Sequence, residues 1–261
     1  MIDVIVTGAG GKMGREVVRA VTAADGMRVR AAVDPCDPPA SIDDGAGGAI
    51  ITTPDLDAAL SGEGPCVLVD FTVPSAVERT VERALAAGVH CVVGTTGVTT
   101  ERWKAIAKAA TSDACLFVAP NFAIGAVLMM RFAAAAARFM PHAEIIELHH
   151  DRKLDAPSGT AMHTAHLIAE ARAATPAAPG RETEVAEGAR GALVDGVYVH
   201  SVRLPGLVAH QEVLFGDVGQ TLSLRHDTID RTSFMPGVVL AIREVPARSG
   251  LVIGLDELMD L

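Results

Sequence analysis

The chain has 261 residues, of which 49% are apolar; its formal net charge is −10, and it holds a single Trp and a single Tyr. That length forms one large α/β domain or two smaller ones around a sizeable core. The acidic balance and the absence of a dense Lys/Arg run exclude a phosphate-backbone or anionic-membrane partner, and the scarcity of aromatic rings excludes base stacking. No nucleic-acid and no membrane partner is therefore expected.

The chain opens on the strand-like "MIDVIVTGAGG". It lacks the basic start, long apolar stretch and small-residue cleavage site of a secretory signal, so a cytoplasmic protein is expected. Cys36, Cys66, Cys91 and Cys115 lie far apart, two or more of them in apolar strand-like runs, and read as buried reduced thiols.

Up to about residue 120, strands and helices alternate. "IDVIVT" reads as a strand, Gly14 to Ala24 as a helix, "VRAAVD" as a strand, and the Gly/Asp/Pro-rich residues 35–49 as loop. "CVLVDF", a helix from about Ser75 to Ala87, "HCVVG", a helix from about Thr100 to Ala110 and "CLFVAPN" follow. Strands separated by helices of this length need parallel crossovers, which predicts a Rossmann-like doubly wound parallel sheet.

From Phe122 the pattern changes. A long helix comes first, its apolar run interrupted by Arg131 and Arg138 on nearly one face, which marks a packed amphipathic helix and not a membrane span. Then come the strand "AEIIELHH", the loop "DRKLDAP", a helix from about Ser158 to Ala173 and the Pro/Ala/Gly-rich linker "ATPAAPGR". "GVYVHSVRL", "AHQEVLFG" and "QTLSLRHD" are strand-like with no helix between them, so a second, α+β domain with an open antiparallel or mixed sheet is expected, beginning near residues 121–123. "PGVVLAIREV" reads as a helix and a short tail ends in "DELMDL".

"TGAGGKMGREV" leaves the first strand and opens the first helix. Gly8, Gly11 and Gly14, with Gly10 completing a Gly-x-Gly pair, permit a tight turn and bring backbone N–H groups up to a pyrophosphate at the helix N-terminus. Asp34 ends the second strand twenty residues beyond Gly14, where a carboxylate accepts from ribose hydroxyls and favours NAD; Lys12 and Arg15 in the turn are placed to meet a 2′-phosphate, which leaves the dinucleotide open. "DFTVPS" at 70–75 and "GTTG" at 94–97 leave strand carboxyl ends, where ligands of open α/β sheets lie.

"ELHHDRKLDAPSGTA", Glu147 to Ala161, concentrates the remaining chemistry. Alternation along the strand sends His149 and His150 to opposite sides unless the strand has ended, so they are not a simple ligand pair. His149, His150, Asp151, Asp155, His163 and His166 show no recognised metal spacing, and no metal is expected. Two histidines and Lys153 beside a helix start combine proton donors with the N–H groups of Gly159 and Thr160, with Pro157 near the first turn and Ser158 or Thr160 adding hydroxyl donors. The chemistry suggested is acid-assisted reduction of a small dicarboxylate, histidine being the natural proton carrier near neutrality.

With these motifs in place, the chain resembles the dihydrodipicolinate (4-hydroxy-tetrahydrodipicolinate) reductase family over nearly its whole length. The resemblance rests on E-x-H-H-x-x-K-x-D-A-P-S-G-T-A together with "GAGGKMG", "GTTG", "PNFAIG" and "RTSFMPG" in this order. It implies NADH- or NADPH-dependent reduction in the diaminopimelate route to lysine, with His149 as proton donor/acceptor, Lys153 as second proton donor and charge anchor, and His150, Gly159 and Thr160 gripping the substrate. It further implies that Gly8, Ala9, Gly10, Gly11, Lys12, Met13, Asp34, Gly94, Thr95, Thr96, Ala119, Pro120, Asn121 and Phe122 hold the cofactor. The dinucleotide-binding domain would comprise 1–121 and 236–261, and 122–235 would bind substrate and form a homotetramer. Some relatives carry an Arg just after the acid ending the second strand; Pro35 follows Asp34 here, leaving Lys12 as a compensating cation. The competing reading is another NAD(P)-dependent dehydrogenase of a small amino or dicarboxylic acid.

Overall fold

The computed structural model describes residues 1–35, 39–62, 64, 66–176 and 183–259. Cys36, residues 177–181 of the expected linker and the last two residues of the tail lie outside the described residues. The chain divides into two compact units, Met1–Ala123 with Arg231–Leu261, and Ile124–Asp230.

The first unit runs β1 (Ile2–Thr7), α1 (Lys12–Ala23), β2 (Met27–Val33), β3 (Ser41–Asp43), β4 (Ala49–Thr53), α2 (Leu56–Leu60), β5 (Cys66–Asp70), α3 (Pro74–Ala86), β6 (His90–Val93), α4 (Thr100–Ala109) and β7 (Cys115–Val118). Among the described residues its sheet has the order β13-β7-β6-β5-β1-β2-β4-β3, where β13 (Gly250–Ile253) arrives after the second unit. Every neighbouring pair is parallel except β3 with β4. The chain leaves β1 toward β2 on one side and returns to β5 on the other, which places the switch point of a doubly wound sheet between β1 and β5.

Hydrophobic spacing explains the layers. Val4, Ile5 and Val6 are fully buried, as expected of a central strand covered on both faces. In α1, Gly14, Val17, Val18 and Val21 fall at i, i+3, i+4 and i+7 and are the buried residues of that helix. Val77, Val81, Ala84 and Leu85 of α3 pack with Trp103 and Ile106 of α4 in the same core cluster as Ile5, Leu68 and Leu116 of the sheet. Each fully buried Val or Leu stabilises by about 1.5–3 kcal/mol. Cys66, Cys91 and Cys115 are buried free thiols within this sheet.

Two expectations are corrected. Residues 35–49 are not all loop: β3 pairs with β4 around a turn in which Asp44 Oδ1 accepts from the N–H groups of Ala46 (2.8 Å) and Gly48 (2.9 Å). The Gly/Asp signal belongs to that turn, and a three-residue strand with only Ile42 buried is too short to show a period. The segment after the last helix is not only a tail, because β13 adds a parallel edge beside β7.

The second unit comprises α5 (Ile124–Ala137), β8 (His142–His149), α6 (Gly159–Ala171), β9 (Ala192–Val194), β10 (Val197–Arg203), β11 (Ala209–Asp217) and β12 (Gln220–Thr228). Its sheet order is β12-β11-β8-β10-β9. β8 is parallel to β10 and antiparallel to β11, so the open sheet is mixed, as expected. Ile145, Val199, Val213 and Phe215 are buried on the face that α5 and α6 cover, where Gln211 Nε2 donates to Thr164 of α6 at 2.8 Å. Ile146, Leu148, Tyr198 and Leu214 alternate onto the opposite face and are half-buried. Helix α7 (Met235–Glu244) and β13 then complete the first unit.

Gly14 is where α1 meets β1 most closely: a Cβ there would stand 2.1 Å from the Gly8 carbonyl oxygen and 2.6 Å from Ala9 Cα, both backbone. Gly14→Ala is therefore expected to destabilise the first unit by about 1–3 kcal/mol, as overpacking does, and to weaken dinucleotide binding. Thermal unfolding followed through Trp103 and a cofactor titration check both.

Candidate active site

The loop between β1 and α1 is shaped by what glycine permits. Gly8 has φ +70°, and a Cβ on it would meet the Phe71 carbonyl oxygen at 2.6 Å. Gly11 is the N-cap of α1 without a side-chain capping bond, and the first turn carries no acid. The amides at that helix start thus face no competing anion of their own, and the cradle fits a dinucleotide pyrophosphate. Gly10 N donates to Asp34 Oδ2 at 3.1 Å, which ties the acid at the end of β2 to the loop. Lys12 and Arg15 are exposed, with Arg15 Nε donating to the Gly10 carbonyl at 2.9 Å. Ala9 is buried and Met13 half-buried.

The carboxyl ends of β1, β5 and β6 meet at a residue that the sequence reading overlooked. Asp70 is fully buried and accepts from the hydroxyls of Thr7 (2.7 Å), Thr95 (2.7 Å) and Thr72 (2.8 Å) and from Thr72 N (3.1 Å). The Thr95 hydroxyl is thus committed to the scaffold, whereas Thr96 is exposed. Gly94 leaves room for the Phe71 ring, whose edge a Cβ there would overlap. Phe122 packs its ring on Phe71 and Phe117, with centroids 5.7 and 6.0 Å apart, and Ala119 is buried, so these two positions offer a ligand backbone and not side chain. Pro120 is exposed, and Asn121 Oδ1 accepts from Ala123 N at 2.9 Å.

In the second unit, β8 ends at His149, so His149 shares a face with Glu147 and His150 lies just beyond the strand. Glu147 is fully buried, and its Oε2 lies 2.5 Å from His149 Nδ1. Arg203, paired with His149 across the β10–β8 register, donates from Nη1 to Glu147 Oε2 (2.8 Å) and from Nη2 to Oε1 (2.7 Å). Burial pushes the Glu147 carboxyl up, but hydrogen bonds from His149, Arg203 and Ser201 and the charge of His149 outweigh it and hold the group down at about 2. Neither Glu147 nor Arg203 was foreseen; period-two spacing from His149 was the available signal for Glu147.

Lys153 Nζ donates to both oxygens of Asp155, at 2.7 and 2.9 Å, and holds that carboxyl below its usual range. His150 Nδ1 is buried and has no hydrogen-bond partner among the described residues. Ser158 is the N-cap of α6, and its hydroxyl accepts from Ala161 N at 3.2 Å. The oxygen caps the helix by accepting, and its O–H remains a donor. Pro157 precedes the cap and lies outside the first turn. Gly159 and Thr160 open the helix, where amides lack intrahelical acceptors, and a Cβ on Gly159 would meet nothing within 4 Å. Among the described residues no group of three or more His, Cys, Asp or Glu side chains converges as a metal site, and no helix is long and apolar enough to cross a membrane.

A doubly wound sheet with a glycine cradle, in a chain that also holds a mixed-sheet unit carrying a carboxylate-paired histidine, a lysine and open helix amides, defines an oxidoreductase of the nicotinamide-dependent type. Family models described as dihydrodipicolinate reductase N-terminus and C-terminus match residues 2–122 and 125–259. The 4-hydroxy-tetrahydrodipicolinate reductase of Mycolicibacterium vanbaalenii is 51% identical over 258 residues, covering 98% of each chain. That of Halalkalibacterium halodurans is 50% identical and covers 100% of each. A dipicolinate-bound dihydrodipicolinate reductase from Paenisporosarcina sp. TG-14 superposes with a TM-score of 0.83 at 42% identity, over 98% of this chain and 99% of that one. The chain belongs to the dihydrodipicolinate reductase family.

Proposed function

We propose that this protein reduces dihydrodipicolinate, formed from 4-hydroxy-tetrahydrodipicolinate, to tetrahydrodipicolinate, by adding a hydride at C4 and a proton at the adjacent carbon. The observation that carries the reading is the stretch from His149 to Thr160, which holds a proton donor, an ammonium group and free helix amides, in a chain similar to a dipicolinate-bound reductase. A nicotinamide cofactor, when bound, supplies the hydride. The residues assigned to it are Gly8 to Met13, Asp34, Gly94 to Thr96 and Ala119 to Phe122, with Asp34 suited to ribose hydroxyls and Lys12 to a 2′-phosphate.

One proton is added for each hydride; His149 is the group assigned to deliver it, with Lys153 as a second donor able to supply that proton and as an anchor for charge. One substrate carboxylate competes with Asp155 for the Lys153 ammonium; another receives the amides of Gly159 and Thr160, with the shielded His150 ring as a further donor. We read the active species as a cytoplasmic homotetramer. The half-buried apolar residues on the uncovered face of the mixed sheet, Ile146, Leu148, Tyr198 and Leu214, support its use as the contact between copies, and sedimentation of a charge-substituted face checks it.

The assay is oxidation of NADH and of NADPH in the presence of substrate generated in situ, set against small amino acids and other dicarboxylates as alternatives. Turnover confined to an amino-acid substrate would overturn the assignment in favour of another dehydrogenase. Gly159→Ala separates binding from folding. Its methyl enters open space, so stability holds or rises by about 0.4–1 kcal/mol, while KM for the dicarboxylate rises because the methyl occupies the anion's approach.

A further inference from the structure

We infer that Glu147, held by Arg203, is a positioning residue that fixes the tautomer of His149 and, through the same carboxylate, the helix start that presents Gly159 and Thr160. The inference rests on the reading of His149 as the proton donor and extends it to two residues that lie behind the reacting groups.

The geometry leaves little choice of hydrogen placement. Glu147 Oε2 faces Arg203 Nη1 (2.8 Å) and His149 Nδ1 (2.5 Å); Oε1 faces Arg203 Nη2 (2.7 Å) and Ser158 N (3.1 Å). Guanidinium and backbone N–H groups only donate, and an ionised carboxylate only accepts. His149 Nδ1 must therefore carry a hydrogen. In the neutral ring Nε2 is then bare, and in the charged ring Nε2–H is the proton available to a substrate. The low pKa of Glu147 agrees with an acceptor that stays ionised at any working pH.

The second consequence runs through Ser158. Its N–H is bound to Glu147 and its hydroxyl to Ala161 N, so the turn that opens α6 is fixed at both ends of the cap residue. One buried carboxylate thus sets the orientation of the acid and, through Ser158 eleven residues away, the position of the anion-binding amides that follow it. Arg203 also donates to the Asp155 carbonyl at 2.7 Å, which links the loop bearing Lys153 to the same pair. Glu147 on its own strand bonds His149, and Arg203 stands opposite it on β10.

Glu147→Gln keeps the shape but, whichever way the amide turns, puts an NH2 against a guanidinium N–H that can only donate. In hydrolases that use a Ser-His-Asp triad, the equivalent loss of an orienting carboxylate costs about 10⁴-fold in kcat. Here the expected loss is about tenfold or more in kcat, with KM for the cofactor unchanged, and Glu147→Asp recovers part of it.

The decisive measurement is ¹⁵N NMR of the histidine-labelled full chain, with the His149 signals identified by their loss in His149→Gln. The wild type is expected to show neutral His149 with its hydrogen on Nδ1, and Glu147→Gln to show the Nε2–H form. A wild-type ring carrying its hydrogen on Nε2 overturns the inference, as does a Glu147→Gln protein with unchanged tautomer and kcat within about twofold of wild type. If Glu147→Gln does not fold, the wild-type spectrum still decides the tautomer, and Glu147→Asp decides the kinetic effect. The spectrum needs no turnover, so a protein without reductase activity but with Nδ1–H refutes the functional reading and leaves the tautomer standing.

Discussion

His149→Gln is expected to lower kcat by about 10²–10⁴-fold, the range typical of a general acid, with KM for the cofactor little changed. Glutamine keeps a polar head near Glu147 but has no proton to give at neutral pH. Lys153→Ala is expected to act on both constants, because the ammonium that Asp155 holds in the free protein is assigned to a substrate carboxylate. Steady-state kinetics with substrate generated in situ checks both. Near wild-type turnover in each variant would mean that protons move elsewhere, and the helix amides would then be left as a binding feature only.

Arg203→Leu is expected to cost the second unit about 3–5 kcal/mol, the usual result of removing one partner from a buried ion pair. Glu147 is fully buried, and Arg203 holds both of its oxygens. The single Tyr of the chain, Tyr198, lies on β10, and the single Trp, Trp103, on α4. Near-UV circular dichroism of the tyrosine and fluorescence of the tryptophan therefore follow the two units separately, and the tyrosine transition is the one expected to move. The pH dependence has a definite sign. The folded carboxyl is held at about 2, below its unfolded value of about 4.3, so its contribution is complete above that unfolded value and is lost as pH falls toward about 2. Arg203→Leu raises the carboxyl and moves that loss to higher pH.

The parts of the protein that follow from near neighbours in sequence were legible. Buried spacing at Gly14, Val17, Val18 and Val21 announced α1, and the glycines before it announced the cradle. The fifteen residues from Glu147 to Ala161 announced a proton donor, a cation and a helix start. What stayed hidden depends on register between distant strands. Arg203 reaches Glu147 from 56 residues away, and nothing local to "SVRL" distinguishes it from a surface arginine. Asp70 joins Thr7 across 63 residues, a contact that exists only once β1 and β5 lie side by side. Ser158 was legible as the residue before α6, and the cap it forms by accepting from Ala161 N follows from that position. β3 and β13, of three and four residues, are too short to carry a period of their own and exist because a neighbouring strand offers an edge.

The order in which the strands are made bears on how the chain is assembled during synthesis. β7 is translated before residue 120, but β13, its parallel neighbour, comes only at residues 250–253. All of residues 124–230 have been synthesised by then. The usual sequence, in which the earlier domain finishes before the later one begins, is therefore reversed for the final edge: the inserted unit has every strand it needs while the sheet around it still lacks one. A released chain truncated shortly after residue 230 should consequently hold every strand of the mixed-sheet unit, while the β7 edge of its other sheet is bare.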